Sequence, residues 1–153
     1  MHFMRTLKEI KDRFLRVSEP NGISEKELNY IQIHLNVLLP DDFKNIATFF
    51  SGGFVGSIDM YDFIASDINI ISETLRLRCT IDLPHRFVVL AELSESLVIM
   101  DTEQSPSVIW CDSCDAENIG KSDYSIKPDV WDSYSDFFAD MVSEELDSYV
   151  SEG

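Results

Sequence analysis

Positive charge is scarce in this chain, and long apolar runs are absent. The 153 residues carry 12 Lys and Arg against 28 Asp and Glu, a formal net charge of −16. Such a field repels nucleic acid and anionic membrane, and it steers a basic partner toward the surface. No run approaches the ~18 uncharged apolar residues of a membrane span. The first residues, "MHFMRTLKEIKDRF", interleave charge with apolar positions, unlike the apolar core and small-residue cleavage site of a secretory signal. Cysteine is limited to Cys79, Cys111 and Cys114, an odd number that does not read as a disulfide framework and suits a reducing compartment. A cytoplasmic protein is expected.

The usual catalytic signatures are missing too. No G-x-S-x-G elbow occurs to present a serine nucleophile. Cys111 and Cys114 have the spacing of half a zinc site, but no second pair completes four ligands, and Cys79, His34 and His85 are scattered. The flanking Asp112 and Asp115 disfavour a thiolate, which needs positive charge or a helix N-terminus nearby. His2 and His85 fall in segments that read as exposed, and His34 falls in a helix. No calcium-loop spacing with its central glycine is present. The glycines of "SGGFVG", Ser51 to Gly56, resemble a phosphate loop in composition only. Such loops follow a strand and open a helix, whereas these follow a helix and no lysine comes after. Gly52 and Gly53 are therefore expected to end that helix in the left-handed region. No catalytic, cofactor-binding or metal-binding residue is assigned.

What is present is local pattern. Phe3, Leu7, Ile10, Phe14 and Val17 predict an amphipathic first helix, ended by "SEPNG". A second starts at a capping box, Ser24 with Glu27, stapled by Ile23 against Leu28, and continues through Ile31, Leu35 and Leu38. Pro40 restarts the chain, with Asp41 and Asp42 in the first turn of a third helix and Phe43, Ile46, Ala47 and Phe50 as its apolar stripe. "FVGSIDMYDF" alternates like a strand. Ser66 to Arg78 reads as a helix capped by Ser66, with Ile68, Ile71 and Leu75 on one face. Three β-rich runs, "RFVVLAEL", "SLVIMDT" and "SVIWCD", follow at spacings too short for parallel crossovers, which predicts an antiparallel meander. Residues 115–130 are polar and read as irregular. A last helix opens at Ser133 with Asp136 as a capping box. It carries Tyr134, Phe137, Phe138, Met141, Val142 and Leu146 on one face and Asp136, Asp140, Glu144 and Asp147 on the other.

The order of these pieces resembles the SUKH superfamily, the domains related to yeast cell-wall-assembly regulators and to many bacterial toxin-immunity proteins. The likeness rests on "ISEKELNYIQIHLNVLLPDDFKNIATFFSGG", then on "FVVLAELSESLVIMDT", "SVIWCD" and "DFFADMV", spanning about residues 20–146. It implies a single α+β domain over residues 1–153, with an antiparallel-rich mixed sheet flanked by helices, in agreement with the residue patterns. It also implies a non-catalytic immunity protein that binds and neutralises a cognate secreted toxin, frequently a nuclease.

Charge leads to the same partner chemistry. Residues 1–50 balance at seven acidic and seven basic side chains, while residues 101–153 carry 14 acidic against two basic. A nuclease must present a basic surface to phosphate, and an acidic final third can occupy it. The expected partner-binding residues are Asp129, Trp131, Asp132, Asp136, Asp140, Glu144 and Asp147, with Tyr61 and Tyr124 as aromatic anchors from loops. Trp110, inside a strand, is expected in the core. The alternatives are a regulatory scaffold of the same superfamily that binds an endogenous protein, and an enzyme using a metal held by Asp or Glu.

Overall fold

The computed structural model describes residues 6–121 and 123–152. Phe3 and His2 lie outside them. Helix α1, Leu7–Phe14, is capped by Thr6, whose hydroxyl accepts from the Glu9 amide at 3.2 Å, and it buries Ile10 and Phe14. Leu7, expected on the buried face, is instead exposed, and Val17 is half-buried. Helix α2, Glu25–Leu35, begins at the predicted capping box: Ser24 Oγ accepts from the Glu27 amide and the Glu27 carboxylate accepts from the Ser24 amide, at 3.2 and 3.1 Å. It stops one turn before its apolar spacing suggests. Asn36 takes the left-handed conformation, φ 52°, and Leu38, expected to be buried, is 81 % exposed.

Helix α3, Asp41–Ile46, follows Pro40 as expected and buries Phe43 and Ile46. The Asp42 carboxylate serves two helix starts, accepting from the Phe43 amide and from the Ser135 amide of the last helix, both at 2.8 Å. The glycine pair does not cap α3. That helix ends at Ile46 with Ala47 right-handed, well before Gly52. Gly52 has φ 119°, and a Cβ there would meet the Asp62 Cα at 2.5 Å. Its physical role is a close backbone approach between two chain segments, which only glycine permits.

"FVGSIDMYDF" forms two strands rather than one. β1, Gly53–Val55, and β2, Ile58–Met60, are an antiparallel hairpin turned at Gly56-Ser57, with Phe54 opposite Asp59. Gly56, at φ 62°, supplies the positive φ of a tight hairpin turn. The Tyr61 amide then donates to the Leu90 carbonyl at 3.0 Å, tying the hairpin to the main sheet.

Helix α4, Ile70–Ile81, is capped by Asn69 and Ser72, not by Ser66, which bonds to Asp62 instead. Its buried side chains are Ile70, Ile71, Thr74 and Leu77, while the expected Ile68 and Leu75 are exposed. Both sets have helical spacing; the cap at Asn69 selects the register.

The meander is as predicted: β3, Phe87–Glu92; β4, Ser96–Asp101; β5, Val108–Asp112. A fourth strand, β6, Asp129–Trp131, adds to β5 from within the stretch expected to be irregular, giving the order β3-β4-β5-β6 with every pair antiparallel. The sheet is thus wholly antiparallel, and the parallel pairings among the described residues are isolated bridges at Asn21↔Phe50 and Asp62↔Asn69. Both sheet faces are covered, which is why its strands read as near-continuous apolar runs. Val88, Leu90, Val98, Met100 and Val108 face the larger core with the helices. Phe87, Val89, Leu97, Ile99, Ile109 and Cys111 face a second core with Leu77, Leu83 and Ile119.

Helix α5, Tyr134–Glu152, closes the larger core. Ser133 Oγ accepts from the Asp136 amide at 3.1 Å, the forward half of the expected capping box. Phe137, Phe138, Met141 and Val142 are buried as predicted. Phe138 meets Phe14, Phe49 and Phe50 at centroid distances of 5.6, 6.0 and 5.0 Å, within the range of favourable ring pairs.

Candidate partner-binding face

Short strand β6 and helix α5 are consecutive, and an acidic run lies on them and in the turn between. Asp129, Asp132, Asp140, Glu144 and Asp147 are exposed, and Asp136 is half-buried in the first turn of α5. None of the ion pairs among the described residues involves them; those pairs join Lys44 to Asp41, Arg76 to Glu73 and Glu92, and Arg86 to Asp101. Among the described residues the carboxylates of β6 and α5 therefore have no ion-pair partner.

Trp131 sits among them, half-buried and fixed from three sides. Its indole N–H donates to Asp140 Oδ2 at 2.8 Å, its ring meets Phe137 nearly edge-on at 5.0 Å, and it stacks on Trp110 at 6.5 Å. Trp110, expected in the core, is half-buried against it, and its own N–H donates to Ser96 Oγ at 2.8 Å. The result is a rigid aromatic bracket beside a row of carboxylates, a surface that pays little ordering entropy on binding.

Tyr61 and Tyr124 do not join this face. Tyr61 donates to Glu92 Oε2 at 3.2 Å beside the Arg76–Glu73 pair. Burial, together with Glu92 and Glu73, pushes its phenol up to about 12. Tyr124 packs on the second core, and burial raises its phenol. The polar excursion near it is organised by Asp115, a fully buried carboxylate that has no ion pair among the described residues. Asp115 accepts from the amides of Ser125 and Ile126 at 2.8 and 3.0 Å and from Asn118 Nδ2 at 2.9 Å. The two backbone amides lead in holding its carboxyl below the usual range.

Neither thiol of the Cys111 and Cys114 pair is activated. Burial first, then Asp115, pushes the Cys111 thiol up to about 11, and a hydrogen bond to Asp112 raises exposed Cys114. Among the described residues no group of three His, Cys, Asp or Glu side chains is arranged to hold a metal ion. His34 stacks on Tyr30 at 3.8 Å, and His85 Nε2 lies 3.0 Å from the Asn36 carbonyl. The first contact lies within one helix, and the second ties two distant chain segments together.

Sequence reasoning missed Phe54 and Glu145. Phe54 is 68 % exposed on the hairpin, and Glu145 Oε2 accepts from the Gly56 amide at 3.3 Å. No sequence signal marks either, because the hairpin reads as a single alternating strand and Glu145 as one more helix carboxylate.

A family model, SUKH_5, described as SMI1-KNR4 cell-wall, matches residues 4–143. No curated protein matches the chain. Among the described residues no helix is long and apolar enough to cross a membrane.

Proposed function

The chain belongs to the SUKH_5, SMI1-KNR4 cell-wall family, and from that premise we propose that it is an immunity protein that binds a cognate secreted toxin and holds it inactive, one to one, in the cytoplasm. The toxin class that fits best is a nuclease, because its phosphate-binding surface must be basic. The observation that carries this reading is the acidic stretch of β6 and α5, Asp129, Asp132, Asp136, Asp140, Glu144 and Asp147 beside the fixed ring of Trp131, without an ion pair among the described residues. Charge of this kind raises the rate of encounter and selects a basic partner, while the aromatic bracket supplies desolvated contact. Binding of this sort calls for no catalytic group.

The family description favours a second reading, a regulatory scaffold for an endogenous protein. The two separate on the neighbouring reading frames and in the cell. The immunity reading expects an adjacent gene for a large secreted protein with a toxic C-terminal domain. Co-expression with that domain should restore growth, and the two should co-purify as a complex. Continued killing with no complex would overturn the immunity reading.

A further inference from the structure

The β1–β2 hairpin carries an exposed aromatic ring that its surroundings do not explain. Phe54 is 68 % exposed although its neighbours Val55 and Ile58 are fully buried and Met60 is 3 % exposed. The hairpin is therefore anchored from below and turns one ring to solvent. Directly opposite Phe54 across the ladder stands Asp59, also exposed. Cross-strand partners place their side chains on the same face about 5 Å apart at Cβ.

The hairpin tip is clasped by the acidic helix. The Gly56 amide donates to Glu145 Oε2 at 3.3 Å, and a Cβ on Gly56 would lie 2.9 Å from the Met141 carbonyl oxygen and 3.3 Å from Glu144 Oε2. Trp131 reaches the same helix at Asp140, one turn before Glu144. Hairpin tip and β6 thus bracket the Asp140–Glu144 turn of α5, and the carboxylates of β6 and α5 lead up to the hairpin.

An aromatic face with a carboxylate beside it is matched by a cation that can stack and pair at once. Arginine does both: its planar guanidinium lies over a ring and still donates to carboxylate oxygens, whereas an ammonium acts as a point charge. We propose that the outer face of the β1–β2 hairpin, Phe54 with Asp59, is the anchor for an arginine side chain projecting from the basic partner protein. The anchor rests on the protein-binding reading above and adds to it a position and a residue type.

The test is an NMR titration of the full chain with an acetylated peptide of three arginines spaced by glycines, and with its lysine counterpart. The arginine peptide should shift the Phe54 ring and the Gly56 and Asp59 amides, and should bind more tightly than the lysine peptide. Phe54→Ala and Phe54→Leu should weaken the arginine peptide about two- to five-fold, the range of an exposed cation–π contact. Because Phe54 is exposed, both variants keep the core, and Asp59→Asn provides a third probe on the opposite strand. Shifts confined to Asp136 through Asp147 would overturn the anchor and leave the acidic-face reading standing. Equal binding of the two peptides would overturn the choice of arginine. No shift anywhere would overturn the anchor and the acidic face together.

Discussion

Asp115 shows how one side chain organises a stretch that has no periodic pattern. It is fully buried and accepts from three N–H donors, with no ion pair among the described residues. Removing the carboxylate frees the Ser125 and Ile126 amides, and a neutral amide in its place turns a donor toward donors. Its folded-state ionisation lies below that of the unfolded chain. The stability it contributes is therefore present above the ordinary carboxylate range, near pH 4, and is lost as pH falls through the folded value. Asp115→Asn should lower the denaturation midpoint at pH 7, and the gap from wild type should narrow as pH is taken from 7 to 3. A gap that stays constant across that range would remove the carboxylate from this role. Little of this was legible in the sequence, where Asp115 is one of 14 acidic side chains after residue 100 and its two backbone donors lie ten and eleven residues away.

At the scale of elements, α5 carries two jobs on opposite faces. Its aromatic face buries Phe137, Phe138, Met141 and Val142, and its outer face aligns Asp136, Asp140, Glu144 and Asp147. Like charges three and four residues apart cost a helix a few tenths of a kcal/mol each. Replacing Glu144 and Asp147 by Gln and Asn should therefore leave thermal stability equal or slightly higher, and replacing all four by Asn, Asn, Gln and Asn should slow association with a basic partner and flatten its salt dependence. Stopped-flow association rates at two ionic strengths check this. An unchanged rate would mean the face is only solvated. The helix with both faces was legible beforehand because its apolar positions follow a 3.6-residue period and its cap stands at Ser133. Strand β6 was not: three residues carry no alternation, and what makes them a strand is the free edge of β5, supplied by a distant part of the chain.

Over the whole molecule, a net charge of −16 on 153 residues opposes compaction by self-repulsion. Screening length falls from about 30 Å at 0.01 M salt to about 8 Å at 0.15 M. The thermal midpoint should rise over that range of added sodium chloride, most steeply at the low end, and a flat response would show that the charges lie too far apart to repel. The fold holds against this repulsion through its two cores. The larger packs Phe14, Phe43, Phe49, Phe50, Phe63, Phe137 and Phe138 under the sheet. Truncating such a ring typically costs about 3–5 kcal/mol.

The sequence by itself determined the α+β class, the capping of α2, the restart at Pro40, the three-strand meander and the acidic outer face of α5. These are local, carried by residues within a turn or a strand of one another. Only the tertiary structure decided the register of α4, the split of one alternating run into a hairpin, the joining of β6 to β5 and the exposure of Phe54. Each of these depends on which of two equally well-patterned faces finds a partner, and that choice is made by contacts between residues far apart in the chain. The glycine pair shows the same division. A positive φ was legible from the residues, but the reason for it, Asp62 passing 2.5 Å from where a Cβ would stand, exists only once the chain has folded back on itself.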